Sequence, residues 1–141
     1  MEKIQISNII YTLKHKIAYL KTELNLRGYI TISGLFHDLD KVFLYLIYHD
    51  NKVKEIHRKN NKHHIECING FDLEQLVIDC ECARFTKPDK PLNAICTIEK
   101  YYNNILRNDK LRSELHCIIV DKFKLMAEKE WIDRFGNYYK K

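Results

Sequence analysis

Residues that turn or break a chain are scarce here, with four glycines and two prolines in 141 residues. A β-rich fold needs a turn every few residues, and most turn types draw on Gly or Pro. Helical periodicity dominates instead, so the expected fold class is all-α: a single-domain bundle of about six helices. One domain is also the natural reading of a 141-residue chain.

The first helix is expected over 6–26, with Ile10, Leu13, Ile17, Leu20 and Leu24 on one stripe facing the core and Gly28 ending it. A second is expected over 31–48, capped by Thr31 or Ser33, and a short third over 51–60. Asp72-Leu-Glu-Gln75 reads as a capping box opening a helix over 73–85. Pro88 and Pro91 mark a loop, Pro91 suiting the first turn of a helix that runs to 107. Asp109 is placed to cap a last helix over 110–132, and the helices of 91–132 complete the bundle.

No apolar run approaches the roughly 20 residues that span a bilayer, and the N-terminus lacks the apolar stretch of a signal peptide. A cytoplasmic protein with no membrane partner is expected. Five cysteines (Cys67, Cys80, Cys82, Cys96 and Cys117) without a CxxC pair read as reduced, small apolar core residues. The net charge of +5 leans weakly towards anionic partners, with basic clusters at Lys52/Lys54, Arg58/Lys59/Lys62 and Lys140/Lys141. Aromatics are not interleaved with these clusters, and Tyr101/Tyr102 and Tyr138/Tyr139 read as packing and tail residues, so nucleic acid is not the favoured partner.

The chemistry lies in a dispersed set spaced H15-x21-H37-D38-x18-H57-x5-H63-H64-x14-D79. Asp38 falls on the same helical side as Leu35, Leu39, Val42 and Leu46, where an ionised carboxylate costs several kcal/mol unless something pairs it. Asp79 is likewise the one charge of its helix outside the side that carries Glu74, Glu81 and Arg84. His15 projects opposite the apolar stripe, among Tyr11, Ala18, Tyr19 and Thr22, so the first helix is expected to be buried on two sides. The plain structural readings are core salt bridges for the carboxylates and hydrogen-bonded packing for His15. Together, however, imidazoles and carboxylates from four helices suit one or two ions of Mn, Fe, Co, Ni or Zn, the metals that activate water against phosphate esters.

We expect His15, His37, Asp38, His57, His64 and Asp79 as metal ligands, with Asp38 bridging if two ions are present. Adjacent histidines point about 100° apart on a helix, so His63 is expected beside the substrate rather than on the same ion as His64. Lys41 sits one turn past the His-Asp doublet and, with Arg58 and Lys59, is placed to offset phosphoryl charge. Asp38, Lys41 and His57 are the expected catalytic groups. His49 and His116 show no partner pattern.

His15, the doublet in Phe-His37-Asp38-Leu-Asp-Lys41, and the distal Asp79 resemble the HD-domain superfamily of metal-dependent phosphohydrolases. More closely, the chain is similar to small uncharacterised bacterial and phage proteins with a His-Asp-Leu-Ser-Lys-Phe doublet, a later His-x-x-Arg-Asn-Pro-His-His stretch and a Val/Ile-Cys-Asp segment. The counterparts here are His37 to Val42, His57 to His64, and Ile78-Asp79-Cys80, covering about residues 12–82. Asp40, Asn60 and Lys62 depart from that pattern, and no Gly-Tyr-Pro follows the histidine pair. The resemblance implies an all-helical HD fold that binds metal. The expected function is hydrolysis of a phosphorylated small molecule, a nucleotide-like ester. The rivals are a non-catalytic nucleotide- or protein-binding module with a structural metal, and an HD-type di-iron oxygenase.

Overall fold

The first helix, α1 (Lys3–Arg27), runs unbroken for 25 residues. It stops at Gly28, whose φ of 82° lets its N–H reach back to the Leu24 carbonyl at 2.9 Å. The computed structural model describes residues 3–65, 71–86 and 93–136. Cys67, Pro88, Pro91, Tyr138, Tyr139, Lys140 and Lys141 lie outside them. Every regular element among the described residues is helical.

α1 does not bury its apolar stripe. The residues packed inward are Thr12, His15, Tyr19, Thr22 and Glu23, while Ile10, Leu13, Ile17 and Leu24 are 43–55% exposed. The expectation of a helix buried on both sides is therefore overturned on the apolar side. The inward polar groups find partners across the chain. Glu23, fully buried, accepts hydrogen bonds from Thr31 N at 2.8 Å and Thr31 Oγ1 at 2.9 Å. The same hydroxyl accepts from Gly34 N and so caps α2 (Ile32–Leu35). A Cβ on Gly34 would overlap the Glu23 carboxylate, so the close approach depends on glycine.

The expected helix over 31–48 is broken. After α2 the chain turns through His37 and Asp38 before α3 (Leu39–Tyr45). Asp38 has a left-handed backbone with φ 58°, which Asp tolerates better than most side chains. The break leaves Leu35 and Leu46 exposed instead of sharing a buried side with Asp38. α4 (Asp50–Asn60) follows, and residues 62–65 form turns that carry His63 and His64.

α5 (Leu73–Cys82) is the centre of the fold. Its N-cap Asp72 accepts from Gln75 N, as the capping box predicts. Leu73, Leu76, Val77, Ile78, Cys80 and Cys82 are all buried, and a 3₁₀ turn at Ala83–Phe85 ends it. α1 packs on one side of α5. On the other side lie residues from α6 (Ala94–Tyr101), α7 (Asn103–Arg107), α8 (Asp109–His116) and α9 (Glu128–Phe135), including Ile98, Ile105, Leu115 and Trp131, with Ile119 from the stretch between α8 and α9.

The expected 110–132 helix is also interrupted. Asn108, not Asp109, caps α8. α8 runs on as a π-helical stretch at Cys117–Lys122, with Phe123 N bonded to Ile118 O at 2.9 Å, and the helix breaks over 123–127, where Lys124 has φ 51°. No Gly or Pro in 110–132 announces this. Cys80 and Cys82 are buried as expected of core thiols, whereas Cys117 is exposed. No described helix is long and apolar enough to cross a membrane.

The two faces of the bundle should respond oppositely to truncation. Ile98→Ala, at a position with 0% exposure, should cost about 2–5 kcal/mol in urea unfolding. Ile17→Ala, at a position 55% exposed, should stay within about 1 kcal/mol. Similar losses from the two variants would contradict the assignment of α1's inward side.

Candidate metal centre

Three elements bring His15, His37, Asp38 and Asp79 to one point. α1 supplies His15, the turn before α3 supplies His37 and Asp38, and α5 supplies Asp79. One ligand atom from each lies within 4.8 Å of all the others. Asp79 Oδ1 is 2.7 Å from His15 Nε2 and 2.9 Å from His37 Nε2. Asp38 Oδ2 is 3.6 Å from each of the same two nitrogens. His15, His37 and Asp38 are 2–3% exposed.

A second group adjoins the first. His57, His63 and His64 also offer nitrogens within 4.8 Å of one another. Asp38 joins the two groups, because its other oxygen, Oδ1, lies 2.9 Å from His57 Nε2 and 3.3 Å from His63 Nε2. His63 thus sits against the bridging carboxylate rather than apart from the ligands. His64 stays beside it, ring centroids 4.2 Å apart, and its Nε2 is buried without a hydrogen-bond partner.

The supporting shell makes these nitrogens fit for a cation. His57 Nδ1 donates to Asp40 at 2.9 Å, and Asn61 Nδ2 donates to Asp40 Oδ2, also at 2.9 Å. A carboxylate on Nδ1 leaves Nε2 as the nitrogen that points into the centre. It faces Asp38 Oδ1 and, at 3.1 Å, His63 Nε2. Atoms with lone pairs so close repel unless protons or a metal ion lie between them, so without metal His57 Nε2 carries a proton towards Asp38. His15 is oriented similarly, with Thr86 Oγ1 3.2 Å from its Nδ1 and its Nε2 turned to the carboxylates. Tyr19 stacks on His37 at a centroid distance of 3.8 Å and holds that ring's plane. The donor set of imidazole and carboxylate suits Mn, Fe, Co, Ni or Zn.

Burial and charge work against each other at the two carboxylates and at His57. Burial alone would push the Asp38 carboxyl up, but His37, Lys41 and hydrogen bonds from His57 and His63 hold it well below the usual carboxylate range. For Asp79, burial is likewise overcome, by His15 and His37. Burial pushes His57 down, yet Asp38 and Asp40 reverse the sign and raise it. At His63 burial wins and the pKa falls. His64 is pushed down to about 3 by burial and by His63 and His57.

The cations divide. Lys41 Nζ lies 3.3 Å from Asp38 Oδ2, with its side chain 22% exposed at the edge of the cluster. Arg58 and Lys59, expected to meet substrate, lie on the outer side of α4. Both are exposed on α4, whose buried side carries His57, and Lys59 pairs with Glu55 at 3.1 Å. The sequence reading passed over Lys16, whose Nζ is buried without a hydrogen-bond partner. Burial lowers its pKa and Asp38 pulls it back up. It also passed over Asp40, Asn61 and Thr86 as orienting groups. Asn61, four residues after His57 and so one helical turn on, is the only one with a signal in local spacing.

Away from this centre, His49 is the exposed N-cap of α4. His116 bonds to Glu128 at 2.6 Å and packs edge-on against Trp131. Its neighbours Cys117 and Asp121 complete a third group within ligand distance, but both are exposed. No family model, curated protein or solved structure matches the chain.

Acidification reports on the buried neutral imidazoles. His63 and His64 have depressed pKa values, so without metal the unfolded chain takes up protons that the folded one refuses. Their contribution is full above the ordinary histidine value of 6.5 and is lost as pH falls below it. His57, with a raised pKa, contributes oppositely and loses its share as pH climbs. Metal-free His64→Asn should therefore show a shallower loss of urea midpoint between about pH 6.5 and 4.5 than the parent chain. Identical slopes would refute the neutral, buried His64.

Proposed function

We propose that this chain is an HD-type metal-dependent phosphohydrolase acting on a nucleotide-like phosphate ester. One observation carries the reading: Asp38 presents one oxygen to the His15/His37/Asp79 group and the other to His57 and His63. A carboxylate facing two nitrogen-rich groups is the arrangement expected of a bridging ligand between two cations. His15, His37, Asp38 and Asp79 would hold one ion, and His57, His63 and His64 with Asp38 a second. Divalent ions in such sites supply Lewis acidity towards phosphate and lower the pKa of water.

The remaining groups divide the other tasks. Asp40 fixes the proton on His57 Nδ1, and Thr86 orients the His15 ring from behind. Lys41, partly exposed and next to Asp38, is positioned to take the charge of an incoming phosphate. Lys16 adds a second ammonium close enough for Asp38 to act on it, a role that the outward-facing Arg58 and Lys59 do not fill. Burial of the site keeps water and its screening low, so each of these charges acts strongly on phosphorus-bound oxygens.

A second reading draws on the same burial. His15, His37, Asp38, His57 and His63 are each 1–3% exposed, and closed sites suit metals that staple a fold. On that reading the chain is a binding module whose ion is structural. Turnover separates the two.

Calorimetric titration of chelator-treated protein with Mn²⁺ or Zn²⁺ should show binding, and added Mn²⁺ should give phosphate release from a panel of nucleotides and simple phosphate esters. Asp38→Asn and His37→Ala should abolish both. Asp40→Asn, which leaves every ligand in place, should weaken metal by about 10–100-fold. Tight metal binding with no turnover on any ester would hand the site to the structural reading. Unaltered metal binding by Asp38→Asn would end both.

A further inference from the structure

The stripe that α1 turns to solvent has a repeat of its own. Ile6, Ile10, Leu13, Ile17, Leu20 and Leu24 follow one another at alternating intervals of four and three residues. Five of the six are 43–55% exposed, and Leu20 is half-buried. An average step of 3.5 residues keeps a seam straight along a partner helix rather than winding it around α1. The seam is also narrow. On its far side Thr12, His15, Tyr19 and Thr22 are already packed against the chain's own core. A lipid surface calls for a broad apolar face, whereas a two-residue seam calls for another helix.

Charge decides which helix. α1 carries Lys3, Lys14, Lys16, Lys21 and Arg27 against one acid, Glu23, and that acid is fully buried and held by Thr31. Lys14 and Lys21 stand exposed along one edge of the seam. A second copy of α1 would bring the same cationic edge, and in an antiparallel pair heptad geometry sets Lys14 against its own counterpart. Two hollows run end to end along this edge and meet at Tyr11 and Lys14. The larger, about 710 Å³, reaches Ile17, Lys21 and Phe85, and the smaller reaches Ile6 and Ile10.

We infer that the outer seam of α1 is a docking surface for an acidic amphipathic helix of a partner protein, with apolar residues at heptad positions and Asp or Glu flanking them. The hollows receive its apolar side chains, and Lys14 and Lys21 pair with its acids. The inference is independent of any chemistry at the metal centre. The two regions do share a wall, since Thr86 lines the larger hollow and contacts His15.

The probe is a fluorescent three-heptad peptide with Ile and Leu at the seam positions and Glu on both flanks, alongside a twin with Lys replacing Glu. Anisotropy titration of the full chain should show binding of the acidic peptide, weakening as salt is raised, and at least roughly tenfold weaker binding of the basic twin. Ile10→Glu/Ile17→Glu, at exposed positions, should keep the parental circular dichroism and melting temperature while losing the acidic peptide by roughly tenfold or more. A misfolded double variant would itself count against the seam being free, and Lys14→Glu/Lys21→Glu then tests the charge component, with preference for the basic twin expected. Four outcomes overturn the inference: no binding of either peptide, equal binding of both, a chain that is already a dimer dissolved by the seam variants, or seam-dependent sedimentation with anionic vesicles but not with peptide.

Discussion

Two carboxylates buried against imidazole nitrogens are the constraint around which the first half of this chain is arranged. Asp38 and Asp79 sit where burial opposes ionisation, yet both remain charged because His15, His37, His57 and His63 surround them. Leaving either carboxylate without those partners would cost several kcal/mol. The partners come from α1, the turn before α3, α4, the turns after it, and α5. Each of those elements is thereby tied to the others through one shared point. A cation at that point would be bound and would hold the helices together at once, since ligands scattered over some 60 positions of sequence gather only in the folded chain.

The second half has a different physical character. α6 to α9 contribute Ile95, Ile98, Ile105, Leu106, Leu115, Trp131 and Phe135 to an apolar cluster with α5. α5 is thus a wall with two unlike sides, oil behind it and ligands in front. Its near-complete burial fixes where Asp79 stands, so precise packing in the rear sets the geometry of a carboxylate at the front. Among the described residues, the rear helices place no side chain in the central His/Asp groups.

Much of the centre was legible in the chain, and for a physical reason. Asp79 betrays itself as the one charge on the wrong side of its helix, and His15 as a ring set among Tyr11, Ala18, Tyr19 and Thr22 opposite the apolar stripe. What periodicity does not carry is which of two candidate faces is covered. α1 has an apolar stripe and a polar strip, and the polar strip is the one buried, because Thr31, Asp79 and Thr86 satisfy it from distant parts of the sequence. The breaks at Asp38 and at 123–127 were equally hidden, since no Gly or Pro stands at either. Arg58 and Lys59 drew notice by adjacency to His57, but neighbours on a helix diverge in direction, and it is Lys16, beside His15, whose ammonium is buried with Asp38 acting on it.

The left-handed backbone at Asp38 has an evolutionary corollary. Few amino acids settle at that conformation cheaply, chiefly Gly, Asn and Asp, and others pay of order 1–3 kcal/mol. Both tolerated replacements lie a single base change from an aspartate codon, and both strip the charge while leaving the path of the main chain intact. A lineage carrying this loop therefore stands one nucleotide away from a descendant that keeps the path of the chain and loses the carboxylate joining the two histidine groups.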